Sequence, residues 1–436
     1  MSGPDVDFAA IEVDDAFLDA WTEYSFSSDI FTPADGFSLS IGVGSSSSKA
    51  LRKNLDYLRE RLYPGAVVKL WVGHGDRKAL QATGIIDARD IQNDGEGTRF
   101  SIEGRDFASY LVDSAAPVSL YQDAGTSLFS LARTAAEPWG ISVTADADSL
   151  RDVRTGKAQS RSANDLRAKA EQYGIAPARL SKSVLAAIDA GTIDVSAIAS
   201  TTAALSSGAG LSPLEIAQLK ISEARTQAGE TVWEFLDRHA RRLGLLMRMG
   251  PDGTLNFTGL NYGQVPSYRL ERSIDSVTTG TQFASLGVRG NNILSGGERY
   301  DGSRMYREVK VFGRTKSGDL ARAAVTATAR DAGDDAIPHE KTLFVHDDSI
   351  RSETEASKRA YRELAKSRMG AQVLEYTVRG HGQGGVIYAV DTVAMVKDEV
   401  CGISGPFYVV SRSFTRGGDG PRTTLRLVPL YSIVVG

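Results

Sequence analysis

The residues of this 436-residue chain with the most chemical potential are five histidines, paired carboxylates, a glycine run and one cysteine. His339-Glu340 opens a run that ends at His346 and superficially resembles a zinc-protease site. That chemistry needs two histidines one helical turn apart, so that both imidazoles reach one ion. Here they are seven positions apart, Pro338 precedes them, and Leu343-Phe344-Val345 reads as a strand, so metal binding is not expected. His74, His239 and His381 stand isolated in the sequence. His239 lies on an amphipathic helix and reads as a partly buried polar residue.

Gly380-His381-Gly382-Gln383-Gly384-Gly385 satisfies GxGxxG. Dinucleotide binding requires a helix after the glycines, whose N–H groups meet the pyrophosphate. A strand follows instead, so the run reads as a loop between strands. Gly42-Val43-Gly44 does lie between a strand and a helix, but Ser47 occupies the third glycine position. The pairs Asp14-Asp15, Asp334-Asp335 and Asp347-Asp348 are adjacent, whereas glycoside hydrolysis needs two carboxylates facing each other across a cleft. No GxSxG elbow occurs. Cys401, the sole cysteine, sits in a strand–turn–strand pattern with no adjacent histidine and reads as inert. No catalytic residue, cofactor or metal is therefore expected, and the chain reads as a non-enzyme.

The elements around these residues change character along the chain. Residues 1–115 read as mainly β, with Phe37, Leu39 and Ile41 alternating with serines. One helix there carries Leu51, Leu55, Leu58 and Leu62 on one face and stops at Pro64-Gly65. Strands at 66–73, 81–91 and 98–105 follow. Residues 116–263 turn helical, with Thr126 as a cap, an Ala/Ser/Leu-rich stretch over 161–226, and helices at about 163–173 and 178–190. Ser212-Pro213-Leu214-Glu215 is a further helix start. The helix over 231–243 has Val232, Leu236, Ala240 and Leu243 as its apolar stripe, and Gly244 ends it. A hairpin with a Pro251-Asp252-Gly253 turn comes next. From 264 the chain returns to β, with a helix at about 352–369 that pairs Glu355 with Arg359. Four strands then span 373–380, 385–398, 405–416 and 422–430, a meander after a helix that coarsely echoes the first domain.

With 42% hydrophobic and 24% charged residues the composition is that of a soluble globular protein, long enough for two to four domains. No run of about 18 apolar residues suggests a membrane span, and the N-terminus shows no secretory signal, so synthesis in a cytoplasm without membrane anchoring is expected. A net charge of −4 with scattered basic residues argues against a dedicated nucleic-acid grip.

Four stretches, in order, resemble the baseplate hub family of contractile-tailed, Mu-like phages. The first runs from Gly104-Arg105 into Leu111-Val112-Asp113. The second contains Trp233, Phe235, Leu236 and Gly244 and continues to the Asp252-Gly253 turn. The third leads from Ser352 into Val378 and Gly380. The fourth contains Ser411 and Phe414 and closes on Thr424 to Pro429. The stretch 161–226 is longer than the family pattern.

The resemblance implies an α+β, multi-domain fold: two similar β-barrel-like tube domains, an inserted mainly helical domain and a peripheral α/β segment. The corresponding boundaries are 1–115, 116–263 and 264–436, with the peripheral segment at about 297–369. It further implies a homotrimeric, structural adaptor between a hexameric tail tube protein and a trimeric central spike protein. Wedge and tape-measure proteins would be further partners, and DNA a transient cargo in the channel. The location implied is the virion tail baseplate, assembled in the cytoplasm of a bacterial host. Other readings are a tail-associated peptidoglycan-degrading enzyme, with its activity in 116–263, or the equivalent adaptor of a phage-derived injection or secretion machine.

Overall fold

The computed structural model describes residues 7–43, 48–75, 77–93, 97–120, 126–145, 225–242, 245–259, 264–274, 291–313, 325–330, 341–347, 350 and 353–430. Almost all of the stretch 161–226, with its expected helices, lies outside these residues, as do His339, Glu340, Asp334, Asp335, Asp348 and Gly244.

The first group of strands is β1 (Phe8–Val13), β2 (Ala16–Leu18), β3 (Glu23–Asp29), β4 (Gly36–Val43), β5 (Val67–His74), β6 (Arg77–Asn93) and β7 (Thr98–Asp106), with helix α1 (Ser48–Arg61) between β4 and β5. Alternation drives them: Phe100, Ile102 and Gly104 of β7 are buried while Arg99 and Glu103 face out, the period-two pattern of a sheet with one face covered. Leu55 and Leu58 of α1 pack against the main core, and Leu62 just beyond the helix is fully buried. Gly65, at φ +92°, supplies the left-handed turn that starts β5. The strand β3 went unread in the sequence, although Tyr24, Phe26 and Ser28 alternate there and are buried.

A second unit follows, formed by α2 (Ala108–Asp113), α3 (Leu128–Ala136), β8 (Val143–Ala145), α4 (Val232–Arg242), β9 (Leu246–Met249) and β10 (Leu255–Thr258). Strands β8, β10 and β9 form a small sheet in that order. Leu111, Leu131, Trp233, Phe235, Leu236 and Phe257 fill a core of their own beneath it. The N-cap of α3 is Ser127, which accepts from the Ser130 N–H at 3.3 Å, one residue later than Thr126.

The third group contains β11 (Tyr268–Arg272), β12 (Ile293–Tyr300), β13 (Glu308–Phe312), β14 (Thr326–Arg330), β15 (Thr342–His346), α5 (Glu353–Met369), β16 (Gln372–Arg379), β17 (Gly382–Gln383), β18 (Val386–Ile387), β19 (Thr392–Asp398), β20 (Ile403–Gly417) and β21 (Gly420–Pro429). Helix α5 packs Ala356, Ala360 and Leu364 on the small sheet β14-β13-β15. Its Arg359 pairs with Glu363 at 2.8 Å; the side chain of Glu355, the partner expected from sequence, is not among those described.

Both large groups share one strand order. The first runs β3-β4-β7-β6-β5-β1 and the second β12-β16-β21-β20-β19-β11. The long strands β6 and β20 match in detail. Each is bulged where its ladder with the short strand before it ends: β6 between Ile86 and Ala88, β20 between Val409 and Ser411. The carbonyl before each bulge accepts the N–H of a left-handed residue, Gly65 to Ile86 at 2.8 Å and Asp391 to Val409 at 3.0 Å. The correspondence stops at the helices, since α1 follows β4 whereas α5 precedes β16. The echo therefore resides in the ladders, and its last strand pair differs as well, with β1 antiparallel to β5 but β11 parallel to β19.

The two groups are joined because β20 beyond its bulge pairs with β3, from Ser411–Asp29 to Arg416–Tyr24, giving one 13-stranded sheet. A single hydrophobic core runs across the joint, from Val72 and Phe100 to Phe414 and Leu427. The protein is thus mainly β and multi-domain. Among the described residues no helix is long and apolar enough to cross a membrane.

Candidate functional site

The joint between β3 and β20 encloses a buried arginine. Arg412, only 3% exposed, lies between the rings of Phe414 and Phe26, at 4.2 and 4.8 Å from their centroids. Its Nη1 donates to Gln81 Oε1 at 2.6 Å and to the Tyr388 carbonyl at 3.2 Å. Burial pushes its guanidinium down to about 10, against the pull of Asp35. The carboxyls of Asp35 and Asp106 are raised by burial, that of Asp106 further by the neighbouring Asp35. Arg426 closes the joint on its outer side through an ion pair with Asp29 at 2.5 Å.

A second buried chain of contacts ties the N-terminus to the last hairpin. Asp7 Oδ1 accepts the His381 backbone N–H at 2.9 Å and lies 2.7 Å from His74 Nδ1. The Tyr24 hydroxyl meets His381 Nε2 at 2.6 Å, and His381 Nδ1 lies 3.3 Å from Thr423 Oγ1. Burial pushes the His381 imidazole down to about 4, so it is neutral. Two histidines isolated in sequence thus share one carboxylate, a contact spanning 374 positions that no local signal announces.

A third cluster surrounds Asp398, which is fully buried. Arg272 forks onto it at 3.0 and 2.6 Å, the Tyr376 hydroxyl donates to it at 2.8 Å, and the Val400 N–H at 3.0 Å. Burial alone would raise this carboxyl, but these donors hold it below the usual carboxylate range. The Cys401 thiol beside it is pushed up by burial and by Asp398, which fits an inert cysteine.

The residues that carry the family resemblance fall into three places. Arg105 forks onto Asp87, the bulge residue of β6, at 2.7 and 3.1 Å and onto Asp113 at the end of α2 at 3.0 and 2.8 Å. These two carboxylates raise its guanidinium. A Cβ on Gly104 would run into the Ile85 carbonyl and the Phe37 ring. Leu111, Trp233, Phe235 and Leu236 build the second core, with Val112 partly buried against it. Asp252 Oδ1 accepts the Thr254 N–H at 3.1 Å, and Gly253, at φ +82°, lets the β9–β10 turn approach Phe107. Val378, Gly380, Ser411 and Phe414 gather at the joint. There Gly380 (φ +73°) sits against Asp7, and the Ser411 hydroxyl donates to the Ser28 carbonyl at 3.1 Å. These residues join strands, turns and helices and do not converge on a common cleft.

Gly382 to Gly385 of the glycine run form β17 and its turn into β18 rather than a turn into a helix, and His346 of β15 stacks on Phe312 of β13. Asp14 and Asp15, at φ 45° and 59°, make the tight β1–β2 turn. Among the described residues no group of three metal-ligating side chains converges.

This architecture is that of phage tail proteins. The chain is similar in structure to the tail protein from Neisseria meningitidis MC58, with a TM-score of 0.64 and 21% identity over 98% of each chain. The 43 kDa tail protein of prophage MuSo2 from Shewanella oneidensis is equally similar in fold (TM-score 0.64, 16% identity), covering 98% of this chain and all of that one. No curated protein matches in sequence. Residues 9–106 match the model of the family described as Mu phage baseplate assembly protein GpP-like, N-terminal. The resemblance to Mu-like baseplate hub proteins read from the sequence is borne out.

Proposed function

We propose that this chain is the structural hub of a contractile phage-like tail baseplate, acting by assembly rather than by catalysis. In this reading three copies form a ring. Each supplies two barrel-like tube units (residues 1–115 and 264–436), so the ring presents six similar units to a hexameric tail tube and three identical faces to a trimeric central spike. The insert 116–263 and the peripheral segment 297–369 project from that ring toward wedge proteins, and DNA passes through its channel. Gly104, Arg105 and Asp113, with Leu111, Val112, Trp233, Phe235, Leu236, Asp252 and Gly253, fix the insert on the first unit. Val378, Gly380, Ser411 and Phe414 fix the second unit on the first.

The observation that carries the reading is the repeated strand order within one chain, joined side by side through β3 and β20. A chain built as two like units in tandem is what a threefold ring needs to meet a sixfold tube. The test is electron microscopy of the purified protein mixed with its candidate tail tube and spike proteins. Rings capping tube ends and seated on the spike are expected. A protein that binds neither partner overturns the proposal.

A further inference from the structure

Among the described residues, the joint inside the chain uses one of two like pairs of edges. At that joint the donor edge is β3 and the acceptor edge is β20 beyond its bulge. In the repeat, β12 corresponds to β3 and the end of β6 corresponds to the end of β20. Among the described residues β12 pairs only with β16, and residues 88–93 of β6 pair only with β7. Both edges are exposed: Ala88, Asp90, Gln92 and Asn93 on one, and Ser295, Glu298, Arg299 and Tyr300 on the other. Edge strands with open hydrogen-bonding groups are templates for pairing with another chain.

From the matching ladders we propose that residues 88–93 of one copy pair antiparallel with residues 296–301 of β12 and its end in the next copy. This proposal rests on the reading that the protein assembles into a ring.

The register follows from the ladders. In the chain, Ser411 faces Asp29, Ser413 faces Ser27 and Arg416 faces Tyr24. Aligning the two bulges places Ala88 on Ser411 and Asp90 on Ser413; the β7 and β21 ladders then place Ile102 on Leu425. Following the ladders outward puts Gly296 on Tyr24, Arg299 on Ser27 and Asp301 on Asp29. Between copies, Ala88 therefore faces Asp301, Asp90 faces Arg299, and Asn93 faces Gly296. The Arg426–Asp29 ion pair is not repeated, because Glu103 takes the place of Arg426. Its role passes to Asp90 and Arg299, opposite charges directly across the ladder.

A side-chain contact repeats along with the ladders. Arg89 stands on Arg412 in this alignment, and Leu62 stands on Tyr388. Arg89 Nη1 donates to the Leu62 carbonyl at 3.2 Å, just as Arg412 Nη1 donates to Tyr388 at 3.2 Å. Arg412 is sealed by β3, whereas Arg89 is only partly covered. The next copy's β12 supplies the missing cover.

The test is disulfide trapping in the full chain with Cys401→Ser, comparing Asp90→Cys/Arg299→Cys with an out-of-register control, Asp90→Cys/Ser295→Cys. Each sample is weighed by light scattering before mild oxidation and run on a non-reducing gel. The expected result is a trimer in solution, converted largely to covalent trimer by the first pair and not by the control. A trimer in which the first pair does not join, or joins no better than the control, overturns the pairing and leaves the hub reading standing. A chain that stays monomeric overturns the pairing together with the ring. Hydrogen exchange on the unsubstituted protein reads the same edges if a variant fails to fold: slow exchange of 88–93 and 296–301 in the trimer is expected, and fast exchange there overturns the pairing.

Discussion

Removing Arg272 leaves the buried carboxylate of Asp398 without its counter-charge. Asp398 is fully buried and Arg272 is 13% exposed, so solvent screens their pair little. Breaking a buried pair from one side costs about 3–5 kcal/mol because a charge is stranded. Here the Tyr376 hydroxyl and the N–H groups of Val400 and Cys401 still reach the carboxylate, which places Arg272→Met near the lower end, at ~3 kcal/mol. Arg272 also donates to the Gly296 carbonyl at 2.9 Å, so the loss is felt at β12, the proposed intersubunit edge. The assay is the urea midpoint followed by circular dichroism, for the parent, Arg272→Met, Asp398→Asn and the double variant. The double variant should lose less than Arg272→Met alone, because the stranded charge is gone. Lowering the pH protonates the stranded carboxylate, so the gap between Arg272→Met and the parent should narrow from pH 7 toward pH 4. A loss under about 1 kcal/mol, or a gap that does not change with pH, would mean that no charge is stranded at Asp398.

His381 titrates at about 4 when folded against an ordinary value of 6.5, so only the unfolded chain takes up its proton between those values. Its contribution is therefore complete above about pH 6.5 and is lost as pH falls toward 4, by up to about 3 kcal/mol. A pH series of urea midpoints on the parent and His381→Gln should show this slope only in the parent. Gly104→Ala drives a Cβ into the Ile85 carbonyl and should cost about 1–3 kcal/mol, measured as a drop in Tm against a Ser101→Ala control on the same strand. Arg105→Ala removes a clamp whose partners are part-exposed and should cost only about 1 kcal/mol in the same measurement.

The sequence is legible where the physics is local. Helix α5 was expected at 352–369 and runs Glu353–Met369, and the Asp252-Gly253 turn has the left-handed glycine its composition demands. The strand expected over 385–398 is broken, because Asp391 adopts φ 62° with its carboxylate held by the Tyr408 hydroxyl, a partner 17 residues away. Strand β3 carries an alternating pattern and was still missed, since serines and an aspartate dilute it. The joint itself was beyond reach, because it pairs Asp29 with Ser411, and nothing near either residue names the other. The motif residues were found by resemblance alone. Only the structure gives Arg105 its bulge to clamp and Phe414 its arginine to cover.

The proposed assembly is a ring of three copies, each contributing two like units. The absolute mass of the purified protein in solution, by light scattering alone and with its candidate spike protein, tests it most directly. A ring gives a particle of three times 46.7 kDa, with a further increment of one spike when both are present. A stable monomer of 46.7 kDa under both conditions would contradict it.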